Sequence, residues 1–172
     1  MISLIAGKYK GKKLHHFKNK YVRPTQAKVR KSIFQILEPF DELKILDLYA
    51  GVGTMGFEAL SRGASRVVFV EKDRQVYKIL QKNSTLFDNE KIKLYCTDVI
   101  QYISIYNDRF DIIFADPPYM ETNYSYLKEK VQKILKPNGI FCMEMKKQAI
   151  KRSYERIKYY GNTQVVFFRL EI

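Results

Sequence analysis

Five short apolar runs, at residues 44–48, 66–70, 91–96, 110–115 and 140–145, alternate with amphipathic stretches along the chain. Runs of this length rich in Ile, Val, Leu and Phe predict buried strands. The stretches between them carry apolar residues at helical spacing and predict helices over 56–61, 74–87, 99–106 and 124–135. Val76, Leu80 and Phe87 face inward from the second, and the last stops before Pro137-Asn138-Gly139. Strands alternating with helices predict an α/β fold, a mostly parallel sheet with helices on both faces. Upstream, Thr25 is placed to cap a helix over 26–37 whose buried stripe is Val29, Ile33, Ile36 and Leu37, with Lys28, Arg30 and Lys31 outward. Residues 1–6 and 12–17 flank Gly7 and Gly11 and predict a small hairpin. Residues 154–160 and 164–172, joined at Gly161-Asn162, predict a terminal hairpin that adds an antiparallel strand at or near one edge.

The length, 172 residues, suits one domain spanning 1–172, with residues 1–24 a basic extension packed on it. No apolar run reaches the ~20 residues that span a bilayer, and the apolar start of the chain is too short for a signal sequence. Cys96 and Cys142 lie in apolar, strand-like segments and are expected as buried hydrophobes in a reducing cytoplasm. His15 and His16 have no further ligand type at metal-binding spacing, so no metal site is expected. Charge changes the picture more. Of the net +13, residues 1–37 supply ten Lys or Arg and no acid, leaving the rest of the chain at only +3. The positive residues are interleaved with Tyr9, Leu14, Phe17 and Tyr21, which predicts an ordered phosphate-binding surface using Lys10, Lys12 and Lys13 with Arg23, Thr25, Lys28 and Arg30. A membrane surface fits less well, since no amphipathic basic helix precedes residue 25.

Two motifs carry chemistry. Asp116-Pro117-Pro118-Tyr119 ends the fourth strand. The prolines give up their donors, so the carboxylate and neighbouring carbonyls are acceptors beside an aromatic face. That set suits an exocyclic amine on a nucleobase and predicts nitrogen alkylation on DNA or RNA. The second is the turn Asp47-Leu48-Tyr49-Ala50-Gly51-Val52-Gly53-Thr54-Met55-Gly56 after the first strand. Its glycines permit a tight turn and close approach of a ligand. Glu71, followed by Lys72, ends the second strand and is placed to accept ribose hydroxyls; Asp98, followed by Val99, is placed to take an adenine amine. Asp73 and Asp98 are also placed to cap helices. The glycine spacing fits NAD as well as S-adenosylmethionine. Asp47 ahead of the turn, the lack of room for a substrate domain, and an acidic motif with no job in hydride transfer favour S-adenosylmethionine.

Val22-Arg23-Pro24-Thr25, Val29-Arg30, residues 34–37, the Asp47 to Gly53 turn, Glu58-Ala59-Leu60-Ser61-Arg62-Gly63-Ala64 and Asp116 to Tyr119 together resemble the RsmD-type 16S rRNA (guanine-N2)-methyltransferases. The resemblance runs from Ile5-Ala6-Gly7 to the Gly161 turn. It implies a Rossmann-like class I methyltransferase fold of seven strands with the last antiparallel, and a bacterial, cytoplasmic enzyme. The implied substrate is 16S rRNA within the small ribosomal subunit or an assembly intermediate. Carried over by position, Asp47, Gly51, Gly53, Glu71 and Asp98 hold S-adenosylmethionine, with Tyr49, Ala50, Thr54, Lys72, Val99 and Asp116 beside them. Asp116, Pro117 and Tyr119 are the implied catalytic set, and Pro118 and Tyr119 meet the base. Val52 stands where Ser or Thr is more usual, and Tyr119 where Phe also occurs. The rival readings are a DNA adenine-N6 methyltransferase, a protein glutamine methyltransferase, and a non-catalytic rRNA-binding assembly factor. A monomer is expected.

Overall fold

The computed structural model describes residues 2–16, 27–118, 123–150 and 155–171. Arg23, Thr25 with its capping role, and Tyr119 lie outside them. A two-stranded antiparallel ribbon, β1 (Ile2–Ser3) and β2 (Lys13–Leu14), precedes α1 (Ala27–Leu37). Then come β3 (Lys44–Leu48), α2 (Thr54–Ser61), β4 (Arg66–Val70), α3 (Arg74–Ser84), β5 (Ile92–Tyr95), α4 (Val99–Ile105), β6 (Phe110–Ala115) and α5 (Tyr124–Gln132). The chain ends in β7 (Leu135–Lys146), β8 (Glu155–Tyr160) and β9 (Thr163–Arg169). One seven-stranded sheet runs β5-β4-β3-β6-β7-β9-β8. β9 is antiparallel to both neighbours, and the other pairings are parallel.

The strands read as near-continuous apolar runs because both faces are covered. On one face α1, α2 and α3 bury Ile33, Phe34, Phe57 and Leu80 against Ile45, Val67, Phe69 and Phe114. On the other, α4 and α5 bury Tyr102, Leu127 and Val131 against Leu46, Val68, Ile113 and Phe141. The helix expected over 124–135 stops at Gln132, and Leu135 already pairs with Phe110 as the start of β7. Leu135 is fully buried, so the sheet claims it. Pro137-Asn138-Gly139 then forms an irregularity within the strand, with Asn138 at φ 60, stitched to Leu170 through Asn138 N and Gly139 O. Cys142 is buried as expected, but Cys96, just beyond β5, is exposed.

The basic ribbon is fastened by buried polar groups. Glu58, fully buried in α2, accepts from Ile5 N at 2.7 Å and Ala6 N at 3.1 Å, and pairs with Arg62 Nε at 2.8 Å. Ser61 Oγ accepts from Tyr9 N and donates to Ala6 O. Gly7 lies so close to this helix that a Cβ there would sit 1.8 Å from Ser61 O. Arg30 corrects the expectation that it faces outward. It is 3% exposed, its Nη2 donates to Ser3 O at 2.8 Å, and burial lowers its pKa against the opposing pull of Glu58. Its guanidinium therefore anchors the ribbon from within. Removing one partner of a buried charge pair strands the rest. Glu58→Ala is expected to cost about 3–5 kcal/mol of stability, read by urea denaturation; a loss below 1 kcal/mol contradicts the clasp.

Candidate active site

The parallel register sets Asp47 beside Phe69 and Phe114, and Leu48 beside Val70 and Ala115. The residues following β3, β4 and β6 therefore leave one edge of the sheet together. This is the crevice where ligands of open parallel sheets bind. The turn after β3 holds Tyr49 at φ 57, Gly51 at φ 57 and Gly53 at φ 89. Gly53 has no room for a side chain: a Cβ would lie 2.3 Å from the Phe57 ring and 2.7 Å from Leu80. Tyr49 adopts the left-handed region without being glycine, a conformation that recurs at functional sites.

Glu71 and Asp47 lock this turn from its two sides. Glu71 Oε2 accepts from Gly51 N at 2.8 Å, and its Oε1 from Asp73 N at 2.8 Å. Asp47 Oδ2 accepts from Gly56 N at 2.8 Å, satisfying one of the first-turn donors of α2. Its carboxyl pKa is pushed well above the usual range, chiefly by burial, with Asp116 and Glu71 adding to the rise and the Gly56 bond opposing it. Asp47 and half-buried Asp116 share a pocket walled by Ile33 of α1, Met55 of α2, Phe114, and Cys142 and Glu144 of β7. Burial also raises the Cys142 thiol, with Glu144 and Asp116 contributing, so this sulfur is a neutral wall.

The donor set tests which group fits. Asp116 and Glu71 are both close enough to Asp47 to raise its proton affinity. A surround of carboxylates favours a positively charged sulfonium and ammonium, and repels the pyrophosphate of NAD. S-adenosylmethionine fits this set of acceptors.

Other expected residues fall differently. Ala50 and Thr54 are buried within the turn, and Lys72 is exposed beside Glu71. Asp98 N-caps α4, its Oδ1 accepting from Ile100 N at 2.8 Å and Gln101 N at 3.2 Å. Val99 turns into the core. Pro117 is buried and Pro118 exposed. Lys10, Lys13 and Lys28 are exposed, whereas Lys12 donates to Leu86 O at 2.7 Å and lies over the Tyr9 and Phe87 rings. Lys12 is thus partly spent on holding the ribbon down. Sequence reasoning missed Asn83. Fully buried, its amide donates to Val52 O and His15 O, each at 2.9 Å, and accepts from His15 N at 2.8 Å. One amide joins the ribbon to the turn after β3. No local pattern marks it, because a polar residue in α3 reads as solvated. Cys142 and Glu144 were also missed as wall residues, since only strand pairing brings them beside Asp116.

An acid whose folded pKa exceeds its unfolded value near 3.8 stabilises the fold while protonated. That contribution is complete below about pH 4 and is lost as pH rises through the folded pKa. Asp47→Asn keeps an acceptor for Gly56 N and removes the titration. In cofactor-free protein, its melting temperature should match wild type near pH 4 and exceed it increasingly toward pH 7, while its affinity for S-adenosylmethionine falls. A difference independent of pH contradicts the burial argument.

The family model described as conserved hypothetical protein 95 matches residues 2–169. A ribosomal RNA small subunit methyltransferase D of Haemophilus influenzae is 30% identical over 156 residues, 85% of this chain and 79% of that protein. A putative methyltransferase from Escherichia coli has the same fold, with a TM-score of 0.89 at 24% identity over 99% of this chain and 98% of that one. A putative methyltransferase complexed with SAH superposes with a TM-score of 0.69 at 16% identity, over 84% of this chain and 49% of that one. The sheet is the Rossmann-like sheet of class I methyltransferases, and the chain belongs to the RsmD-type family of S-adenosylmethionine-dependent rRNA methyltransferases.

Proposed function

We propose that the chain methylates the exocyclic N2 amine of a guanine in bacterial 16S rRNA, within the small ribosomal subunit or an assembly intermediate, as a cytoplasmic monomer. The observation that carries this reading is the meeting of Asp116, at the end of β6, with Asp47 in one pocket beside the cofactor turn. The small-subunit methyltransferase among its relatives supports rRNA as the polymer. S-adenosylmethionine supplies a methyl group on a positively charged sulfur that is already a good leaving group. Glu71 and the Gly51–Gly53 turn, with Asp98 at the next strand end, are positioned to hold it, and Asp47 to face its amino-acid end.

The guanine amine is a poor nucleophile because its lone pair is delocalised into the ring. Asp116 and the Pro117 carbonyl accept its two N–H bonds, which frees the nitrogen to turn pyramidal. With S-adenosylmethionine bound, its methyl carbon would be the group transferred to this nitrogen, the sulfur keeping the electron pair of the C–S bond. The resulting ammonium is acidic enough to lose its proton to water or Asp116. Positioning and electrostatics therefore supply most of the rate. The base must leave its stack to reach this depth, and Tyr119 and Pro118 are proposed to receive it. Lys10, Lys13 and Lys28, with Arg23, grip phosphates.

Asp116→Ala should lower turnover by at least a thousandfold at saturating cofactor, measured with labelled S-adenosylmethionine on unmethylated small subunits (~4 kcal/mol, the scale of lost transition-state contacts); wild-type turnover in the variant refutes the assignment. Nucleoside analysis of the same product should give N2-methylguanosine. N6-methyladenine from DNA would instead support the adenine enzyme. Lys10→Glu with Lys13→Glu should weaken RNA binding and flatten its salt dependence; an unchanged slope removes the ribbon from the footprint.

A further inference from the structure

The positive charge outside the N-terminal fifth is not spread evenly. Residues 146–163 hold six basic residues, Lys146, Lys147, Lys151, Arg152, Arg156 and Lys158, and a single acid, Glu155. Their net of +5 exceeds the +3 of residues 38–172 as a whole, so the remainder of that stretch is net negative. Lys151 and Arg152 lie outside the described residues. Glu155 is paired with Lys128 at 2.7 Å, and among the described residues no acid pairs with Lys146, Lys147 or Lys158.

The register puts this block beside the pocket. Ala115, the last residue of β6, pairs with Met143 of β7, and Lys146 three residues further pairs with Thr163 of β9. Thr163 in turn pairs with Tyr160 of β8, so the Gly161-Asn162 turn projects from the same sheet edge as Asp116. β8 is three strands from β6, about 15 Å at ~4.8 Å per strand. It lies on the flank opposite β4 and β5. The tip is rigidly held: Lys147 N donates to Asn162 O at 2.9 Å, and Tyr160 Oη donates to Ser32 Oγ of α1 at 2.6 Å. At this tip Tyr159 is 51% exposed, with Lys147 Nζ 5.4 Å above its ring. Lysines on an edge strand also guard against unwanted strand pairing. That role does not account for a large exposed ring kept at the rim beneath a cation.

We propose that the β8–β9 tip is a second RNA contact, in which Tyr159 stacks on an unpaired base and Lys146, Lys147 and Lys158 contact the adjoining phosphates. It rests on the reading of this chain as an rRNA methyltransferase and deepens it. The tip adds to the ribbon a separate basic surface for the same RNA. A flat ring beside ammonium groups is the recognition chemistry of single-stranded nucleic acid.

The test measures binding of full-length protein to unmethylated small subunits and to naked 16S transcript over a range of salt. Tyr159→Ala should weaken binding about tenfold, the scale of one base–aromatic stack, while Tyr159→Phe stays within about twofold of wild type. Replacing Lys146, Lys147 and Lys158 by Ala should lower the slope of log K against log salt by about 2. Affinity for S-adenosylmethionine and melting temperature should be unchanged in all three, which separates a lost contact from a damaged fold. Wild-type RNA affinity and slope in these variants, with binding still weakened by the ribbon variant, overturns the second contact alone. Aggregation of the lysine variant without loss of RNA affinity assigns the lysines to edge protection and overturns it too. A wild-type protein that binds no RNA overturns this contact together with the proposed function.

Discussion

The Asp47 carboxylate holding the Gly56 N–H is the bond around which the site is organised. α2 follows its N-cap Gly53 without a side-chain cap, and all eight of its residues are buried. Its orphan donors cannot turn to water, so one must be met from inside the protein. β3 meets it with a buried acid one residue before its end. The cost of burying that acid is partly offset by the positive end of the helix it faces. Once α2 is fixed against β3, the intervening turn has to reverse within a few residues. That requirement produces the left-handed sequence at Tyr49, Gly51 and Gly53, and brings Gly51 N within reach of Glu71.

The same helix serves the rest of the molecule through its second half. Glu58 and Ser61 point away from the turn and take up the backbone of the ribbon, and Arg62 ties Glu58 to Glu38 beyond α1. α2 thus has the β3–α2 turn at its first residue and the ribbon's fastening at its last. Asn83 closes the loop from α3 by bonding Val52 of the turn and His15 of the ribbon with one amide. A side chain with donor and acceptor both used between two segments fixes their separation, since shifting either one leaves a buried polar group unmet.

Legibility in the sequence followed the physics of each element. β3, β4 and β6 match their expected spans because a short apolar run covered on both faces has no other use. The carboxyl-end acids were legible because a parallel sheet delivers every such end to one edge. Pro137-Asn138-Gly139 misled because proline and glycine mark an irregularity as readily inside a strand as at its end, and only the pairing of Leu135 with Phe110 decides. Arg30 misled for a related reason. Helical spacing places it near the edge of the apolar stripe, where a long side chain can face either water or an inner carbonyl. Ser3 O is contributed by a segment 27 residues away. The Glu58 to Ala64 run stood out as a pattern, yet its purpose was invisible until the ribbon's backbone lay against it.

The opposed charges of the molecule follow from where each has to act. In a chain of net +13, Asp116 and Glu71 still lie close enough to Asp47 to raise its pKa. Lysines at the surface attract a polyanion over several ångströms and are screened beyond about 10 Å in salt. Carboxylates at pocket depth act over contact distances, where water is excluded and their attraction for a sulfonium is least screened. Under the proposed function this arrangement would sort two ligands of opposite charge, because a phosphate following the base inward would meet the acids, whereas the uncharged base would not.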